Sequence, residues 1–193
     1  MINIPVFSVV AFSGTGKTTL IEKLVRELKQ RGMRVAVVKH DAHEFEIDRE
    51  GKDSWRFTKA GADVTAIVSA TKAAIMENRP VTIEALLEKI TDVDIIITEG
   101  YKAGPWPKIA VMRAATGKPL PIPMEDCIAV ITDVPREDIE SSATYEAAGE
   151  SQISMSGALV NTVSTTTNIP LLALDDTIGL ADFLQERLTE SYC

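Results

Sequence analysis

This 193-residue sequence predicts an α/β fold: a doubly wound, mostly parallel sheet with helices on both faces. Three observations point to it. Apolar, β-branched runs without polar alternation, such as "IPVFSVV" at 4–10 and "DIIITEG" at 94–100, read as strands covered on both faces. Between such runs lie stretches whose apolar residues recur at helical spacing. The alternation of the two kinds of segment implies parallel strands joined by helical crossovers. No Gly/Ser linker and no internal repeat divides the chain, so residues 1–193 are expected to form a single domain with a proper core.

The elements follow in order. After the first strand, Leu20, Ile21, Leu24, Val25 and Leu28 fall on one helical stripe. Glu22 with Arg26 and Glu27 with Arg31 form pairs four apart on the exposed side, and Gly32 sits where a C-terminal glycine belongs. "MRVAVVKH" at 33–40 is a second strand, and "DSWRFTKAGA" at 53–62 a short helix ending near Gly61, with Asp53 or Ser54 as its cap. "DVTAIVSATKAAIMEN" suggests two short strands, an antiparallel pair near 64–76. "TIEALLEKI" at 82–90 is helical with Thr82 as N-cap, and "DIIITEG" is a buried strand. "PKIAVMR", "CIAVITD" and "IPLLALDD" are three further strands, and "TIGLADFLQERL" closes the fold as a helix. The stretch 135–169, rich in Ser, Thr and Glu, reads as a weak helix or an excursion from the sheet.

Between the first strand and the first helix lies "FSGTGKTTL". Gly14 and Gly16 let the backbone approach a ligand closely, and successive N–H groups at a helix N-terminus favour an anion. Phosphate is the natural guest of a cradle built from Ser13, Gly14, Thr15, Gly16, Lys17, Thr18 and Thr19. Lys17 can reach the terminal phosphates and the Thr18 hydroxyl can ligate Mg²⁺, which is the mechanics of the P-loop. The pattern G-x-x-x-x-G-K-[ST] asks for glycine at 11, where this chain has Ala11. The anion-cradling part of the loop is nevertheless intact.

In open α/β sheets ligands lie beyond the carboxyl ends of the strands. Asp94 and Glu99 occupy opposite ends of one strand, about 16 Å apart at ~3.3 Å per residue. Glu99 is therefore the Walker-B-like carboxylate, accepting from a Mg²⁺-bound water or orienting the attacking one. The second strand runs into "KHDAHEFEID", whose histidines and acids invite a metal reading. Neither the spacing nor the segment fixes a coordination geometry, and we read it as a solvated loop facing the nucleotide, with Asp41 the acid best placed to approach Mg²⁺. "CIAVITD" ends in Thr132 and Asp133. A carboxylate there could accept from both N1–H and the exocyclic amino group of guanine, or Asp133 and Pro135 could simply make a turn; both readings stand.

Composition narrows the function classes. The net charge of −8 argues against a broad basic face for nucleic acid and disfavours an anionic membrane surface. No apolar run approaches the ~18 residues of a membrane span, and the N-terminus lacks the positive region of a secretion signal, so a cytoplasmic protein is expected. The two cysteines, Cys127 and Cys193, give neither a disulfide framework nor zinc spacing.

Taken together, "FSGTGKTTL", "VVKHD", "GKDSWRFTKAGA", "IIITEGYK" and "PKIAVMR", in this order and at these intervals, resemble MobB, the molybdopterin-guanine dinucleotide biosynthesis protein B family. The resemblance runs from the first strand to about residue 133, with a weaker likeness in "LALDD". It implies a homodimeric GTP-binding protein of the P-loop class that helps attach GMP to molybdopterin beside the nucleotidyltransferase MobA. By that resemblance Gly14, Gly16, Lys17, Thr18 and Thr19 fall on the phosphate loop and Glu99 on the acid-glycine element. A related branch of P-loop proteins carries a second lysine early in the loop, where this chain has Phe12. Two functions are thus in play: a slow GTPase that presents GTP or a conformational signal to a partner, and an ATP-dependent small-molecule kinase or ligase. The second predicts an arginine-rich lid, whereas Arg49, Arg56, Arg79 and Arg113 are scattered, which favours the first.

Overall fold

The structure is a computed structural model and describes residues 4–40, 45–141 and 168–190. It divides into two compact units, one drawn from Ile4–His40 and Val93–Cys193 and the other from Asp41–Asp92 together with Met1–Asn3.

The larger unit is built on a six-stranded, all-parallel sheet. Its strands are β1 (Val6–Val10), β2 (Val35–Lys39) and, further along the chain, β5 (Ile95–Glu99), β6 (Lys108–Met112), β7 (Cys127–Thr132) and β8 (Leu171–Leu172), in the order β2-β5-β1-β6-β7-β8. Every residue of β1 is buried, as its unbroken apolar run requires of a central strand with covered faces. The pleat divides the core accordingly. Phe7, Val9 and Ala11 point to one face, where they meet Leu20, Leu24 and Leu28 of α1 (Lys17–Gln30) and Leu180 and Leu184 of α5 (Thr177–Glu190). Val10 joins Ala110, Val130 and Ile139 on the other face, beneath α4 (Arg136–Ser141) and the segment carrying Leu120 and Ile122. The polar exceptions satisfy each other: Ser8 and Thr98, paired across β1 and β5 and both fully buried, share a 2.8 Å hydroxyl hydrogen bond.

Helix ends follow their local chemistry. Gly32, at φ 80°, closes α1 by donating to the Lys29 carbonyl, and Met33 donates to that of Leu28, the paired bonds of a Schellman motif. Arg31 then ties α1 to α5, donating to Glu27, Asp182 and Gln185. At the start of α5, the Asp176 carboxylate accepts from the Gly179 N–H at 2.8 Å. The edge strand β8 is only two residues long, shorter than "IPLLALDD" suggests.

The smaller unit carries α2 (Asp53–Lys59), the antiparallel hairpin of β3 (Val64–Val68) and β4 (Ala73–Glu77), and α3 (Ile83–Leu87). Thr82 caps α3 as expected, accepting from Ala85 N–H at 3.2 Å. Neither Asp53 nor Ser54 caps α2: the N-cap is Lys52, extended and without a side-chain cap, and Asp53 is already the first helical residue, where it pairs with Arg56. Large apolar side chains stand in solvent here, Val68 at 81% and Ile75 at 71% exposed. Of the stretch 135–169, α4 and the residues from 168 lie within the description, and 142–167 lie outside the described residues. No described helix is long and apolar enough to cross a membrane.

Candidate functional site

The turn from β1 into α1 is shaped by two left-handed glycines, Gly14 at φ 81° and Gly16 at φ 101°, the latter serving as the N-cap of α1 without any side-chain cap. The first N–H groups of the helix are thereby without a side-chain cap, as an anion-binding helix N-terminus requires. Ala11 stands in for the expected glycine without difficulty. It is buried and is not among the non-glycine residues with positive φ, so the backbone there asks for nothing a Cβ would forbid. Lys17 folds back over the loop, its Nζ donating to the carbonyls of Ala11 (3.3 Å) and Phe12 (3.4 Å). Buried Thr15 ties the loop to itself through the Phe12 carbonyl, whereas Thr18 and Thr19 are exposed.

Parallel pairing brings β5 alongside β1 with Val9 opposite Glu99, so the carboxyl end of β5 opens beside the loop. There the Thr18 hydroxyl donates to Glu99 Oε1 at 3.0 Å. A hydroxyl and a carboxylate in contact at the head of a glycine-rich strand-to-helix loop are hard oxygen donors of the kind Mg²⁺ takes together with phosphate oxygens and water. The residues therefore fit the ion. Asp94, at the opposite end of the strand, is engaged by the Arg34 backbone N–H (2.6 Å) and guanidinium (3.0 Å), which hold its carboxyl below the usual aspartate range.

The remaining expected residues fall as follows. Asp41 and the His43–Glu44 part of the acidic loop lie outside the described residues. His40, just past β2, packs against Tyr101 with ring centroids 4.5 Å apart and the planes tilted by 49°. Among the described residues no group of three or more His, Cys, Asp or Glu side chains could hold a metal ion. Thr132 and Asp133 sit at the carboxyl end of β7. Thr132 Oγ1 accepts from Val134 N–H at 2.9 Å, and Asp133 Oδ1 accepts from Ala114 N–H at 2.7 Å, anchoring the turn after β6. Ser13 offers its carbonyl to Lys118 Nζ at 2.8 Å, which braces the loop from outside.

Two cations at the loop escaped the sequence reading. Arg113, counted there among scattered arginines, reaches the loop: its guanidinium would lie 3.3 Å from a Cβ on Gly16, and its Nε is buried with no hydrogen-bond partner among the described residues. It borders a small cavity, about 30 Å³, with Thr19, Lys23 and Leu174. A guanidinium so placed is an anion receptor. Lys102 lies on the other flank, its Nζ 4.3 Å from the centre of the Phe12 ring. It gets there because Gly100 (φ 98°) and Tyr101 (φ 57°) are consecutive left-handed residues. For a bulky residue such as tyrosine this costs on the order of 1–3 kcal/mol. The Tyr101 ring is held between His40 and the edge of Trp106, with centroids 4.5 and 5.7 Å away.

The larger concavity, about 570 Å³, is in the other unit. Asp48, Arg49, Asp53, Phe57, Thr65 and Val68 border it, and it includes no phosphate-loop residue.

With this site in place, the comparison with known proteins decides the family. The pattern described as MobB, "Molybdopterin guanine dinucleotide synthesis protein B", matches residues 6–133. The chain belongs to the MobB family. The match spans the phosphate loop, Glu99 and Lys102 and ends at Asp133. The "Molybdopterin-guanine dinucleotide biosynthesis adapter protein" of Haemophilus influenzae is 41% identical over 138 residues, covering 69% of this chain and 78% of that one. Its namesake in Escherichia coli K12 is 32% identical over 191 residues, 95% of this chain and 93% of that one. Among solved structures, a crystal structure of Bacillus subtilis MobB superposes with a TM-score of 0.66 at 25% identity, covering 95% of this chain and 98% of that one. The mostly parallel α/β architecture expected from the sequence is thus the MobB fold.

Proposed function

We propose that this protein binds GTP with Mg²⁺ on the phosphate loop, hydrolyses it slowly, and supports a MobA-like nucleotidyltransferase in attaching GMP to molybdopterin to give molybdopterin guanine dinucleotide. The observation that carries the nucleotide half is the 3.0 Å contact between Thr18 and Glu99, beside Lys17 at an uncapped helix N-terminus. The adapter half is supported by the names of the relatives. In this reading Ser13 to Thr19 cradle the phosphates, Thr18 and Glu99 hold Mg²⁺ with Asp41 near it, and the protein works in the cytoplasm as a homodimer. Titration of GTP against ATP, with and without Mg²⁺, tests it. Tight, Mg²⁺-dependent GTP binding is expected, and equal or absent binding of the two would overturn it. Sedimentation at micromolar concentration, with a dimer mass expected, tests the assembly.

Base selection rests on Thr132 and Asp133. Asp133 Oδ1 already accepts from Ala114, which leaves Oδ2 and the second lone pair of Oδ1 for the two guanine donors. Asp133→Asn should therefore weaken GTP by roughly one to two orders of magnitude and spare ATP, the worth of a lost charge-assisted pair. It should also improve binding of xanthosine triphosphate, whose second carbonyl accepts from the new amide. If GTP and ATP bind the variant as they bind the wild type, Asp133 only anchors the turn and the base is read elsewhere. Asp176 is already occupied as a helix cap, so Asp175 would be examined next.

A further inference from the structure

Lys102 Nζ rests on the face of Phe12, and no carboxylate lies within ion-pair distance of it among the described residues. The charge that acts on it is that of Lys17, which donates to the carbonyl of the same Phe12. Two ammonium groups thus share the first residues of the loop with no anion between them. Partial desolvation against the loop, and then the charge of Lys17, hold the Lys102 ammonium, on an otherwise exposed side chain, below its ordinary lysine range.

Two positive charges at one end of the loop suit an anion. The end of the loop they occupy identifies which one. In a P-loop the lysine reaches the β- and γ-phosphates, so the Ala11–Phe12 end on which Lys17 rests is the terminal-phosphate end. Lys102 stands over that end, whereas Arg113 lies on the opposite flank, by Gly16. The backbone is built to put it there. Gly100 and Tyr101 turn sharply after Glu99, Gly104 N–H closes the turn onto the Tyr101 carbonyl at 3.0 Å, and the Trp106 ring lies 2.9 Å from where a Cβ on Gly104 would be. An exposed cation on an aromatic face is weakly held and can be drawn off by a stronger partner.

We propose that Lys102 is a catalytic residue supplied in cis, a second cation that leaves the Phe12 ring to contact the γ-phosphate of a bound nucleoside triphosphate. The position of the second loop lysine of related proteins is Phe12 here, and Lys102 delivers the charge from the turn after β5 instead. In the hydrolysis it assists, a water oxygen bonds to the γ-phosphorus. The bond from that phosphorus to the β–γ bridging oxygen breaks, the electron pair stays on the departing diphosphate, and the water proton ends on inorganic phosphate. Lys102 transfers no proton; it offsets the negative charge that grows on the bridging and γ-oxygens.

This proposal rests on the phosphate-loop reading, and the experiment separates the two. Affinities for GTP and GDP, single-turnover GTP hydrolysis and thermal midpoints are measured for wild type, Lys17→Ala, Lys102→Gln and Lys102→Arg. Lys102→Gln should slow hydrolysis roughly 100-fold. It should weaken GTP about tenfold while leaving GDP within about twofold, since GDP lacks the phosphate Lys102 contacts. Lys102→Arg should recover part of both, and the midpoints should agree. A Lys102→Gln protein with unchanged hydrolysis and an unchanged GTP-to-GDP preference overturns the proposal while GDP binding that depends on Lys17 leaves the phosphate-loop reading standing. Wild type that binds neither nucleotide overturns both.

Discussion

Lys17→Ala is expected to raise the dissociation constants for GTP and GDP by about two orders of magnitude, which corresponds to roughly 3 kcal/mol of lost charge-assisted contact. The fold should survive. Lys17 is half-buried, and its side chain makes only two long hydrogen bonds, at 3.3 and 3.4 Å, to loop carbonyls. It is not one of the core residues; Leu20, Leu24 and Leu28 carry the helix onto the sheet. A thermal midpoint within a few degrees of wild type, alongside lost binding in calorimetry, is the expected pair of results. Wild-type affinity in a folded variant would mean that the glycine-rich turn is only a strand-to-helix connection. Thr18→Ala should behave differently. It would remove the proposed metal ligand but leave the backbone cradle and Lys17, so binding should persist and lose its dependence on Mg²⁺.

What the sequence made legible, and what it hid, follows from the range of the interactions involved. β1, α1 and β5 could be read directly because their signals are local: an unbroken apolar run, a stripe at helical spacing, a glycine at the helix end. The phosphate loop is also local, since its chemistry is carried by seven consecutive residues. Lys102 and Arg113 were not visible as loop residues because their places depend on non-local facts. One is that β5 and β6 flank β1; the other is that Gly100 and Tyr101 both take the left-handed conformation. The sequence does hold a faint sign of the first, a lysine three residues past the strand-terminal acid. The cap of α2 was misplaced because Asp53 and Ser54 have the right chemistry, yet the turn over Arg49–Lys52 delivers the chain one residue earlier. Asp133 shows the same limit: only the adjacency of β6 and β7 reveals that its carboxylate is partly spent on Ala114. Cys127 needed only burial, which pushes its thiol up to about 12, so it should resist alkylation in the folded protein at neutral pH.

Glu99→Gln is expected to lower GTP hydrolysis by roughly two orders of magnitude while keeping nucleotide affinity within a few-fold at saturating Mg²⁺. The amide oxygen can still accept from the Thr18 hydroxyl, so the geometry at the head of α1 is retained. What would be lost is the negative charge with which Glu99, in the proposed site, would favour the cation and orient water, so half-maximal turnover should also require more Mg²⁺. Asp94→Asn is the control on the same strand. Asp94 faces Arg34 at the amino end, five residues from Glu99, so neither affinity nor turnover should change. Its effect belongs to stability instead. The Arg34 contacts hold the Asp94 carboxyl low, so the wild type gains stability above the ordinary aspartate range and loses it as pH falls through the lowered value. The Asn variant should be less stable at neutral pH and show a smaller loss on acidification. Equal effects of the two substitutions on turnover would sink the assignment, because they would mean that position along β5 does not decide which acid serves the nucleotide.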